Sequence, residues 1–104
     1  MPLAQTGRFE TAHASKYLQQ LCKHFAHKVE VSFDSETGTA ALPAGPARLQ
    51  AADGALTVTV TGADADALDR ARHVIDSHLA RFAFREGFET MDWTAAQTTA
   101  AQTA

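Results

Sequence analysis

Apolar residues recur at helical spacing in only two stretches of this chain, and the segments before, between and after them alternate or are broken by turn residues. Ala14, Leu18, Leu21, Cys22 and Phe25 follow the three-and-four spacing of one helix face, and Leu68, Ala71, Ile75, Leu79 and Phe82 repeat it. Each such helix has one apolar stripe and must bury it against another element. The alternating segments supply that element as a sheet with one apolar face. The expected fold is therefore α+β, a two-layer sandwich with a mainly antiparallel sheet of about five to six strands and both helices on one face.

The segments can be placed in order. Arg8 to Thr11 is expected to be a first strand and His13 to His27 the first helix. Val29, Val31 and Phe33 then alternate with Glu30, Ser32 and Asp34, and Asp34 to Gly38 supplies turn residues. Thr39 to Leu42 returns as a weaker strand, and Pro43-Ala44-Gly45-Pro46 interrupts. Arg48 to Ala51 and Leu56 to Thr61 read as a hairpin about Asp53-Gly54, with Leu56, Val58 and Val60 on one face. Asp64 suits the N-cap of the second helix, and Asp66 and Asp69 suit the positive end of its dipole. Met91 and Trp93 close the domain as a short strand. Residues 1–93 are thus expected to form a single domain, and Thr94 to Ala104, a Thr/Ala/Gln repeat without apolar period, a disordered tail.

A length of 104 residues suits one core and leaves no room for a second. The net charge of -3 lacks the basic excess of a nucleic-acid binder. A single cysteine, Cys22, excludes an internal disulfide and agrees with a reducing compartment. No apolar run approaches the roughly 20 residues of a membrane span, and Met1 to Gly7 has neither the basic start nor the apolar stretch of a signal peptide. The expectation is a cytoplasmic protein with no nucleic-acid or membrane partner.

Titratable side chains concentrate on the two helices. His24 and His27 stand three residues apart and Lys28 follows; His78, Arg81 and Arg85 lie at the end of the second helix. At about 100° per residue, His24 falls about 60° from Leu21 and His78 about 60° from Ile75, so the two flank their apolar stripes on the same hand. Antiparallel neighbouring helices would turn both histidines into the groove between them or both away from it.

Two chemistries fit such a groove. His24, His27 and His78 could hold a divalent metal, with Cys22 or Glu86 completing the set. An i,i+3 histidine pair is a short pattern that needs context, Cys22, inside the apolar stripe, reads as a core residue, and His27 points more toward water. Alternatively His24, Lys28, His78, Arg81 and Arg85 make a cationic recess for a small anionic ligand such as a carboxylate, phosphate or catecholate, unless the arginines are simply solvated. His13 and His73 lack such neighbours and read as surface residues. The sequence has no phosphate-cradling glycine loop, nucleophile elbow or dinucleotide fingerprint. Cys22 and His24 point about 200° apart on a helix, too far for a nucleophile–base pair. A binding or accessory module is the expectation, against a small acid–base enzyme or a dimerisation domain in which the same residues form a homodimer interface.

The segment Tyr17 to Lys28, the Glu36-Thr37-Gly38 turn, His78 to Glu86 and the closing Trp93 resemble a bacterial domain-of-unknown-function family numbered twenty-two eighteen, over about Gln5 to Trp93. The resemblance implies a small cytoplasmic domain that also occurs with siderophore-interacting flavin reductases. From this follow an iron-acquisition context, an iron chelate as possible ligand and such a reductase as possible partner. His13 departs from the pattern, standing where the family tends to place a helix-capping Asn or Asp.

Overall fold

The computed structural model describes residues 3–43, 45–52, 54–83, 86, 91–94 and 97–98. Its elements run β1 (Leu3–Glu10), α1 (Ala14–Phe25), β2 (Val31–Phe33), β3 (Thr37–Leu42), β4 (Gly45–Ala52), β5 (Ala55–Gly62), α2 (Ala65–Phe82), β6 (Asp92–Trp93) and β7 (Gln97–Thr98). The strands line up antiparallel in the order β2-β3-β4-β5-β1-β6, with β7 also on β1. Both helices lie on one face, α1 over β3 and β4 and α2 over β5 and β1. The expected two-layer α+β architecture is the one observed.

Each helix buries the stripe read from its spacing. Leu18, Leu21 and Cys22 of α1 and Ile75 and Leu79 of α2 are fully enclosed, above Leu49, Leu56, Val58 and Val60 of the sheet. A fully buried aliphatic side chain contributes about 1.5–3 kcal/mol, so this shared core positions the helices. Asp64 caps α2 as expected, its Oδ1 accepting the Ala67 N–H at 2.9 Å. At α1 the His13 side chain makes no cap hydrogen bond. Thr11 Oγ1 instead accepts the His13 N–H at 3.1 Å.

Three departures from the sequence reading have a clear physical cause. β1 begins at Leu3 instead of Arg8, because its core-facing position at Gly7 is filled from outside: Met91 and the Trp93 ring lie where a Cβ would stand, at 3.0 and 2.9 Å. An apolar alternation is therefore missing from the strand's own residues. β4 includes Pro46, which the turn reading had placed outside it. The Ala41 N–H bonds Glu30 on the β2 side, so the opposite residue, Pro46, directs its nitrogen toward β5. Pairing with β5 begins only at Ala47, and the missing donor falls outside the ladder. Finally, the segment expected to be a disordered tail begins inside the sheet: the Thr94 N–H bonds Thr6 at 2.8 Å, and Gln97 and Thr98 pair with Ala4 and Leu3. The edge of β1 offers backbone groups that need partners.

Burial also sets an alkaline limit. The enclosed Cys22 thiol is pushed from 9.0 up to about 11 by desolvation. The Tyr17 phenol is pushed from 10.0 up to about 12, first by burial and then by the hydrogen bond and charge of Glu86. Both groups bind protons more tightly folded than unfolded, so their contribution is complete below about pH 9 and is lost as pH rises through the folded values. Thermal midpoints should fall steadily between about pH 9 and 12, less steeply in Tyr17→Phe; a flat profile would contradict this burial.

Candidate functional site: the groove between the helices

The helices run antiparallel, and the groove between them holds two recesses. At the α1 C-terminal end, His24 and His78 face each other with ring centroids 4.7 Å apart and planes tilted by 49°. Of the two arrangements open to the sequence, the inward one is realised. The Phe25 ring stands at 63° to His78, with centroids 5.3 Å apart, and at 6.1 Å from His24, so the three rings form a triangle. Together with Lys28, these rings line a cavity of ≈ 210 Å³ whose remaining wall, Val29, Leu42, Pro43 and Val74, is apolar.

His78 has a defined tautomer. Its Nδ1 lies 2.7 Å from the Val74 carbonyl; a carbonyl only accepts, so Nδ1 carries hydrogen and the neutral ring leaves a lone pair on Nε2. No group of the described residues hydrogen-bonds the His24 ring. Its pKa is lowered, first by desolvation and then by the positive charge of His78, Arg81, His27 and Lys28. An anion entering the cavity reverses the charge part of that shift.

The other residues singled out by sequence are distributed differently. α1 ends at Phe25, and the chain closes in a tight turn with the His27 N–H on the His24 carbonyl at 3.3 Å. His27 is exposed on that turn and does not line the cavity, so the continuous helix that would bring His24 and His27 onto one ion is not present. Among the described residues no group of three or more His, Cys, Asp or Glu side chains is placed to hold a metal. Cys22 lies in the core under Gly38, its Sγ 2.7 Å from where a Cβ would stand. Glu86, the carboxylate offered for the metal set, accepts hydrogen bonds from Thr11 and Tyr17 instead. Arg81 lines the second recess, and Arg85 lies outside the described residues. His13, read as a surface residue, also lines the second recess. Its signal was helical spacing: His13, Lys16, Tyr17, Gln20 and His24 form one stripe beside the apolar one.

This sequence matches, over residues 6–94, the family model described as "Uncharacterized protein conserved in bacteria (DUF2218)". The chain belongs to that family. A solved structure similar to this DUF2218 domain is titled "NMR structure of PA4090 from Pseudomonas aeruginosa". The two are 28% identical with a TM-score of 0.74, over 94% of this chain and 100% of the other. No curated protein matches the sequence. Among the described residues of the DUF2218 domain, no helix is long and apolar enough to cross a membrane.

Proposed function

We propose that the domain is a small-ligand binding module whose cavity at His24 and His78 takes an aromatic or similarly flat apolar group bearing one carboxylate or catecholate oxygen. The observation that carries this reading is a paired imidazole, 4.7 Å apart, at an otherwise apolar cavity of ≈ 210 Å³ that also receives Lys28. The ligand's body packs against Phe25, Val29, Leu42 and Val74. Its anionic end meets His24, His78 and Lys28, and charge-assisted hydrogen bonds of this type are about twice as strong as neutral ones. Drug-sized ligands occupy about 300–1,000 Å³, so the cavity suits a single ring. Of an iron–catecholate complex only one ring enters. A flavin reductase working on such chelates is the partner this reading accommodates.

Divalent metal capture is the second reading, favoured by the free Nε2 of His78 beside His24. It requires neutral imidazoles and works against the positive charge of Lys28 and Arg81. The two readings have opposite pH dependence. Titration calorimetry at pH 5.5 and 7.5 is expected to show 2,3-dihydroxybenzoate binding more tightly at 5.5, with an iron–catecholate complex following and a zinc salt weak at both. Lys28→Ala should weaken the aromatic anion by about tenfold, the loss of one charged contact. Tight zinc binding at pH 7.5 alone, with no response to the catecholate, would replace this reading by the metal one.

A further inference from the structure

The second recess, at the other end of the groove, has a volume of ≈ 480 Å³ and a different chemistry. His13, Lys16, Tyr17 and Gln20 line it beside α1, facing Arg81 and Glu86 across the groove. Lys16 and Arg81 are exposed, and neither makes an ion pair among the described residues. The single carboxylate is already engaged. Glu86 Oε1 accepts the Thr11 hydroxyl at 2.8 Å and Oε2 accepts the Tyr17 hydroxyl. Those bonds, with the nearby His13 and Lys16 charges, hold the Glu86 carboxyl below its usual range. The amide oxygen of Gln20 is closed to solvent and has no donor among the described residues. No acidic residue occurs between Glu10 and Glu30, so nothing on α1 offsets this charge.

We infer that this recess is a separate binding site for a small oxyanion of the phosphate class carrying its own O–H or N–H donor. Lys16 and Arg81 approach from opposite walls, one as a point charge and the other as a planar fork. A tetrahedral oxyanion presents acceptors in several directions at once, whereas the two coplanar oxygens of one carboxylate serve one wall well. Gln20 lines the recess, and rotation of its terminal amide brings the oxygen to the ligand's donor. Nothing in this argument uses His24 or His78, so it stands whether or not the first cavity binds an aromatic anion.

The test is a titration of the ¹⁵N-labelled full chain with inorganic phosphate at pH 6, where the monoanion retains O–H groups, at ionic strength held constant with chloride. Saturable shifts are expected at residues 13, 16, 20 and 81. Affinity should fall about tenfold in Arg81→Gln and in Lys16→Gln, the effect of one charged hydrogen bond. Gln20→Leu, which keeps all the charges and removes the amide oxygen, should weaken binding by a smaller factor. Because Lys16 and Arg81 are exposed, their replacement leaves the core intact, which the dispersion of the same spectra reports. Shifts reproduced by chloride alone, shifts confined to residues around His24 and His78, or unchanged affinity in Arg81→Gln would overturn the site. Saturation by succinate without saturation by phosphate would overturn the phosphate class.

Discussion

Gly45→Ala should destabilise the domain by at least about 3 kcal/mol and can prevent folding altogether. Gly45 opens β4 with φ at +152°, a backbone region that L side chains rarely adopt, and a Cβ there would stand 2.0 Å from the Thr61 carbonyl oxygen. The oxygen belongs to the adjoining strand, and Thr61 also donates its hydroxyl to the Pro46 carbonyl at 2.6 Å. Relief of the clash therefore requires parting β4 from β5 at the end of their ladder. Gly54 is the matched control: its φ is +72°, but a Cβ there meets nothing within 4 Å. Gly54→Ala should cost only the conformational part, about 1–2 kcal/mol. Chemical denaturation of both variants checks this. Similar losses at the two glycines would show that the Thr61 contact is not a constraint.

Asp76→Ala should release β6 from the helix layer at a cost of about 2–4 kcal/mol. Asp76 Oδ1 accepts the Met91 N–H at 3.0 Å, and its carboxylate receives the Trp93 indole N–H at 3.0 Å to Oδ2. One side chain of α2 thus holds the returning chain against β1, and the Trp93 ring rests on the bare face of Gly7. Removing the carboxylate leaves two half-buried donors without it. Asp76→Asn retains an acceptor and should recover about half the loss. Trp93 fluorescence supplies the local readout: a shift to the red at temperatures where far-ultraviolet circular dichroism is still native is the expected result. Coincident loss of both signals would place Asp76 in the global core instead.

Period alone carried most of the architecture. The stripe of Leu18, Leu21 and Phe25 and that of Leu68, Ile75 and Leu79 are visible in sequence because a helix that packs on a sheet shows its buried face every three or four residues. Leu56, Val58 and Val60 betray β5 by alternation. The sequence pattern shows only the end of β1, because Gly7 leaves its core position to Trp93, a residue far along the chain, and no local pattern records that exchange. Pro46 looked like a break because its harmlessness depends on where the β5 ladder ends, which is a matter of register. In the groove, the meeting of His24 and His78 is foreshadowed by their lying on the same hand of the two stripes, and spacing leaves open only whether they turn inward. His27 is exposed, as its angle on the helix implies, and the metal alternative that joined it to His24 needs a continuous helix that ends instead at Phe25, without a glycine or proline to mark the end. Arg81 and His13 were separated from, and joined to, neighbours by the pairing of helix ends, which sequence does not state.

Entry of an anion into the cavity at His24 and His78, the proposed function, is reported most directly by the titration of His24 itself. In the free protein, desolvation and four positive neighbours hold the His24 pKa below its ordinary value. Its protonated form is therefore disfavoured by surroundings that an entering carboxylate or catecholate would neutralise. The measurement is a pH titration of the His24 ring carbon and proton resonances between about pH 4.5 and 8, with and without saturating 2,3-dihydroxybenzoate. The His24 midpoint is predicted to lie below the ordinary histidine value in the free protein and to rise with ligand, together with net proton uptake on binding. An unchanged or lowered midpoint at saturation would contradict the claim.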